Sequence, residues 1–273
     1  MRRLLLTSLP LVVTAAVMAT LTVGASAQGG AQQQDSPGDL VDEGRQLYAT
    51  GCVSCHGDDG GGVEVVDGSA GGPSLQDAGE AGAYYYLSTG RMPLNSPDEQ
   101  PTRKEPAYTP HQIDALVAYV ASLGDGPSLP DVDLSGADLA DGGLVYRANC
   151  QACHSASGSG GALSYGRAAP RLADATPSQV GAAVRTGPGQ MPVFGRDIIT
   201  AADLNDLALY VRYLDHPEDP GGLPIGRTGP IPEGFVAWLV GIGALLALVF
   251  WIGTRSPIEK PRPAAGRHEE DDA

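Results

Sequence analysis

The chain has 273 residues, of which 38 are glycine and 22 proline, with aromatic side chains at only 5%; domains of that composition bury small cores and call for a staple or a cofactor. Its formal charge is −15, and between Gln28 and Glu233 alone 27 acidic side chains face 11 basic ones, a net of −16. That excess excludes nucleic acid as a partner, leaving either a basic protein or an acidic surface that is merely solvated.

Arg2 and Arg3 precede an apolar stretch from Leu4 to Val23, followed by Ala25-Ser26-Ala27. A charged start, an apolar middle and an Ala-x-Ala site read as an export signal over residues 1–27. The apolar run is long for a signal, so an uncleaved anchor is the other reading; in both, the chain beyond Ala27 faces outward. A polar linker over 28–38 leads to a first unit, 39–125, and a connector over 126–136 leads to a second, 137–215. Within the first unit, Thr109-Pro110-His111-Gln112 is an N-cap, a first-turn proline and a capping-box glutamine. Ile113, Leu116, Val117, Val120 and Leu123 then form a helical stripe. Thr176-Pro177-Ser178-Gln179 opens a helix that ends before Gly187, and Thr200 opens another with Leu204, Leu207, Ala208, Val211 and Leu214 inward. No run has strand periodicity, and Val63-Glu64-Val65-Val66 is too short to argue from, so the class is all-α.

Residues 216–233, dense in proline and glycine, read as a semi-extended spacer. The stretch from Phe235 to Gly253 carries no charge and places Trp238 and Trp251 near its two ends, with Arg255, Lys260, Arg262 and Arg267 beyond. Length, interfacial tryptophans and a basic flank predict a transmembrane helix over 234–254, with a cytoplasmic tail over 255–273. A buried core helix would explain neither the tryptophans nor the flank.

The two units repeat. Cys52, Cys55 and His56 recur 98 residues later as Cys150, Cys153 and His154, and Gly44 and Tyr48 recur at the same offset as Gly142 and Tyr146. Pro73-Ser74-Leu75 echoes Pro170-Arg171-Leu172, and Met92-Pro93 echoes Met191-Pro192. Leu116, Tyr119 and Val120 match Leu207, Tyr210 and Val211 at an offset of 91, because the first unit has extra residues after Met92, including Asp98 to Glu105. Self-similarity of this kind marks duplicated domains.

The four cysteines of the chain form two Cys-x-x-Cys pairs, each followed by histidine. Two thiols within one helical turn can both add to the vinyl groups of one haem, and the next residue then offers an imidazole to its iron. A disulfide or thioredoxin-like pair predicts nothing at the following position, and a compact zinc site does not separate its pairs by nearly a hundred residues. The expectation is two covalently bound haem c groups, on Cys52 and Cys55 and on Cys150 and Cys153. His56 and His154 are the first axial ligands. Only Met92 and Met191 lie beyond the signal, 36 and 37 residues after their histidines, each between a Thr-Gly and a proline. A lone methionine is usually core filler; a matched pair points to axial ligation, and a His/Met iron has relatively high potential and no open face. His111, His216 and His268 read as exposed side chains. Asp58, Asp59, Glu64 and Asp67 lack EF-hand spacing and are discounted as a calcium site. Tyr84-Tyr85-Tyr86 is expected beside the first haem.

On Gly-x-x-x-Tyr, Cys-x-x-Cys-His, Pro-x-Leu, Met-Pro and a last helix with Tyr-Val, both units resemble class I cytochrome c domains. That resemblance implies that the Pro73 and Pro170 carbonyls accept the Nδ1 hydrogens of His56 and His154. The order of signal, two such domains, Pro/Gly linker and one anchor, with Gly229 to Gly234 leading into the helix and Trp251-Ile252-Gly253 near its end, resembles one family in particular. It is the dihaem cytochrome c subunit of the actinobacterial menaquinol–cytochrome c oxidoreductase, over about residues 38 to 256. The resemblance implies partners: a cytochrome b subunit, a Rieske iron–sulfur protein as donor and a haem–copper oxidase as acceptor. It implies a redox subunit that moves electrons and performs no substrate chemistry of its own. The rivals are a free-standing anchored carrier, the cytochrome subunit of another dehydrogenase, and a dihaem peroxidase, which the paired methionines oppose.

Overall fold

The computed structural model describes residues 36–64, 71–96, 99–218, 225 and 230–255. The signal over 1–27, most of both outer linkers, the tail beyond Arg255, and the residues Asp67, Asp98 and His268 lie outside them. Helix α1 (Pro37–Gly51) starts at Ser36, whose hydroxyl accepts from the Asp39 amide in a capping box, with proline at the first turn. Cys52 ends it and opens α2 (Val53–His56), a single turn holding the cysteine pair. Helix α3 (Gly79–Ser88) and helix α4 (Pro110–Ala121) complete the unit, and α4 has the Thr109–Gln112 capping box its sequence predicts.

The second unit repeats the plan with α5 (Leu139–Asn149), α6 (Gln151–His154), α7 (Pro177–Thr186) and α8 (Ala201–Asp215). Capping boxes at Thr176 and Thr200 start its last two helices, and Gly187 ends α7 in the left-handed conformation at φ 59°. Between α6 and α7 two short strands, β1 (Gly161–Ala162) and β2 (Ala168–Ala169), pair antiparallel with Gly161 opposite Ala169. Two residues are too few to leave a period in the sequence, so periodicity predicts no strand there.

The recurring glycines mark the helix crossings. A side chain at Gly44 would collide with the Ala115 carbonyl on α4, and one at Gly142 with the Asp206 carbonyl on α8. Their absence brings Tyr48 within 5.1 Å of Tyr119, centroid to centroid, and Tyr146 within 5.3 Å of Tyr210. Around these crossings sit two cores: Tyr48, Leu87, Ile113, Leu116 and Val120 in the first unit, and Tyr146, Val184, Ile199, Leu204, Leu207 and Val211 in the second. The predicted inward residues of α8 are all buried, as are Ile113, Leu116 and Val120 of α4, while Val117 and Leu123 are half-buried.

The units also pack on each other. Ala81 of α3 and Ala182 of α7, both 0% exposed, let these helices approach closely, with Tyr85 alongside. The connector is laid against both: Pro127 accepts from the Ala81 amide at 3.0 Å, Leu129 donates to Glu80 at 3.0 Å, and Asp133 donates to Asn205 at 3.2 Å. Helix α9 (Pro230–Arg255) starts four residues before the expected 234, since proline is tolerated in a first turn. Its 25-residue apolar span, Ile231–Arg255, is not buried against the rest of the protein. At 1.5 Å per residue a helix of about 20 residues crosses a bilayer core, so the span is long enough.

Candidate functional site

Each Cys-x-x-Cys-His motif is a helical turn hung from the end of a longer helix. The Cys52 amide donates to Tyr48 at 2.9 Å and the His56 amide to Cys52 at 2.9 Å; the Cys150 amide donates to Tyr146 at 2.8 Å and the His154 amide to Cys150 at 2.9 Å. The tyrosine hydroxyls tie the far side, Tyr48 donating to the Gly57 carbonyl and Tyr146 to the Ser155 carbonyl, both at 2.7 Å. Thus a tyrosine one turn before the motif holds the backbone just after it.

Nδ1 of His56 lies 2.8 Å from the Pro73 carbonyl and Nδ1 of His154 lies 3.0 Å from that of Pro170. A carbonyl only accepts, so Nδ1 carries the hydrogen in both rings and Nε2 keeps a free lone pair suited to a metal. A Cβ on Gly72 would stand 2.8 Å from the Cys55 carbonyl and 3.1 Å from the His56 ring, so the chain passes close to the imidazole there. Burial lowers the His154 pKa, opposed by the Pro170 bond.

Met92 and Cys52 pack against the same core in the first unit, and Met191 and Cys150 share that of the second. The turn carrying Met191 is pinned by buried Arg185, which donates to Phe194 at 2.8 Å and to Ile199 at 2.9 Å. The sequence offered no signal for this, because a basic residue in a last helical turn normally reads as a partner for the helix dipole.

In the second unit Cys150, Cys153, His154 and Met191 line one cavity of about 790 Å³, within the range of roughly 300–1,000 Å³ usual for cofactor sites. The residues fit a haem: two thiols one turn apart, an imidazole whose Nε2 keeps its lone pair, a thioether lining the same cavity and largely apolar walls. No disulfide joins any two of the four cysteines. Burial, helped by the neighbouring cysteine, pushes Cys52 and Cys150 up to about 11, the reverse of the lowered value a thioredoxin-like pair needs. Among the described residues no group of three His, Cys, Asp or Glu side chains is placed to hold a metal ion.

Not every expectation about the surroundings holds. Tyr84 packs against the first core, but Tyr85 and Tyr86 turn toward the second unit and line its cavity. They follow one another on a helix wedged between units, so a single cluster of rings cannot all face one site. His111 stands 3.4 Å from Glu43, and His216 is exposed next to Asp215. Asp59 accepts from the Gly61 amide at 2.9 Å, a local turn contact.

Residues 41–124 match the family model of cytochrome c, and residues 137–211 match that of cytochrome c oxidase, cbb3-type, subunit III. The fold and its paired motifs therefore define two tandem cytochrome c domains on a membrane anchor, a class that binds haem c covalently and transfers electrons. The chain is 42% identical to the cytochrome bc1 complex cytochrome c subunit of Mycobacterium bovis, over 81% of its own length and 80% of that protein's. The subunits of the same name from Mycobacterium leprae and Corynebacterium efficiens are 41% and 35% identical, over 80% and 89% of this chain and 76% and 85% of theirs. The chain belongs to the family of cytochrome c subunits of the cytochrome bc1 complex.

Proposed function

We infer that the chain holds two haem c groups and carries electrons from a Rieske iron–sulfur protein to a haem–copper terminal oxidase, as the c-type arm of a menaquinol–cytochrome c oxidoreductase that includes a cytochrome b subunit. The observation that carries this reading is the duplicated site: a histidine whose Nδ1 is held by a proline carbonyl, in a unit whose methionine packs on the same core as the first cysteine. Cys52, Cys55, Cys150 and Cys153 would hold the haems through thioether bonds, His56 and Met92 would ligate one iron, and His154 and Met191 would ligate the other. When bound, the haem iron supplies a one-electron redox couple. The protein's part is to fix both ligands, so that little rearranges on electron transfer, and to offer a thioether, which favours the reduced state. Pro73 and Pro170 hold the imidazole planes and their tautomer. With a histidine and a methionine both committed to each iron, the subunit would conduct electrons within its complex and carry out no substrate chemistry of its own. The haem units, over 39–125 and 137–215, stand outside the membrane, and the tail beyond Arg255 lies in the cytoplasm.

A tagged chain extracted in mild detergent tests this. Co-purifying b- and a-type haem with menaquinol-driven oxygen uptake is the expected result. A purely c-type spectrum without that activity overturns the assignment and leaves a free-standing anchored carrier.

A further inference from the structure

The cavity that holds Cys150, Cys153, His154 and Met191 is not closed by the second unit alone. Its wall includes Tyr85, Arg91 and the strap from Gln100 to Arg103, all from the first unit. Its charged lining is also one-sided: Arg91, Arg103 and Arg167, joined by Arg171 further in, with no Asp or Glu among the described residues of the wall. In a chain with 32 acidic and 17 basic side chains, that is a reversal of sign confined to one place.

Arg91 is the one buried side chain among these four cations. It is 8% exposed and stacks 5.0 Å from the centre of the Tyr85 ring, and no carboxylate of the described residues pairs with it. A buried guanidinium without a counter-charge is costly, so its site calls for an anion. Arg103 is already engaged across the interface. It donates to the Asp174 carbonyl at 2.5 Å and to Oε1 of Gln179 at 2.6 Å, while Gln179 donates in turn to the Ser88 carbonyl at 3.1 Å. Haem carries two propionate carboxylates, and a guanidinium fork matches a carboxylate with two parallel hydrogen bonds.

We propose that Arg91, presented by the first unit, binds a propionate of the haem attached to the second, with Arg103 as the positioning residue that holds the strap over that site. This rests on the reading that a haem is bound at Cys150 and Cys153. The residue next to Arg91 is Met92, which packs on the first core, so one turn of chain serves both sites. A fixed cation beside the second haem opposes removal of its electron and raises its potential.

The test is a spectroelectrochemical titration of the detergent-extracted complex with Arg91→Gln, Arg91→Lys and, as a control outside the cavity wall, Arg196→Gln. The second-haem component is identified as the one that Met191→His displaces. Arg91→Gln is expected to weaken reduction of that component by about tenfold, which is 59 mV for a one-electron couple, with the first component unmoved. Arg91→Lys and Arg196→Gln keep the midpoint, and in Arg91→Lys the propionate bending band of the resonance Raman spectrum shifts because the fork is lost. An unmoved midpoint in Arg91→Gln, an equal fall in Arg91→Lys, or an unmoved Raman band in Arg91→Lys overturns the proposal. Two haems retained by Cys150→Ala with Cys153→Ala overturns instead the reading beneath it.

Discussion

The two cytochrome units share a motif and a helix crossing yet finish their sites differently. In the first, His56 is 9% exposed, and the extra segment after Met92 folds back over the methionine turn, with the Lys104 amide donating to Thr89 at 3.1 Å. In the second there is no such segment, Cys153 and Pro192 are exposed, and the cavity is walled in part by the neighbouring unit. The two copies therefore share the motif, the proline carbonyl and the helix crossing, while the extra residues of the first lie by its own methionine turn and along the second cavity. Of the two sites the first is the better shielded.

The largest effect that sharpens this contrast is removal of one attachment. Cys150→Ala with Cys153→Ala leaves one haem per chain, and electron throughput stops; full turnover from that variant would take the second unit off the path. Next comes the helix crossing. Gly142→Val drives a side chain into the Asp206 carbonyl, a backbone atom that cannot swing aside, and is expected to cost more than about 3 kcal/mol and to strip only the second unit's haem, with Gly44→Val doing the same to the first. Circular dichroism and haem stoichiometry read both, and equal loss of both haems from either variant would mean that the units do not fold separately.

Met191→His should lower the second midpoint with both haems still attached, and Met92→His the first; a redox titration that does not change removes that methionine from the ligand set. The smallest effect compares the buried tyrosines. Tyr48→Phe and Tyr146→Phe each remove one hydrogen bond to the backbone after the motif, worth about 1 kcal/mol, so thermal unfolding should show two similar, modest losses. A loss confined to one variant would mean that the tyrosine in the other unit is only packing.

Much of this was legible before any coordinates. The haem motif is a matter of spacing within one turn, capping boxes are read three residues apart, and the α8 stripe follows the helical period; such signals are local, so the chain states them outright. The repeated glycines were visible too, although only the packed helices reveal that each stands against a carbonyl of the last helix of its unit. The extra residues after Met92 could be counted, but not the direction in which they fold. Arg103 and Gln179 are 76 residues apart, and Gln179 and Ser88 are 91 apart; no period or motif links positions at that distance. Tyr85 and Tyr86 face the second unit for the same reason, since which side of α3 meets α7 depends on Ala81 and Ala182 being small enough to let the helices touch. The Cys-x-x-Cys-His motif is set by near neighbours along the chain, whereas closure of the second cavity is set by how two finished units pack, and that exists only once both have folded.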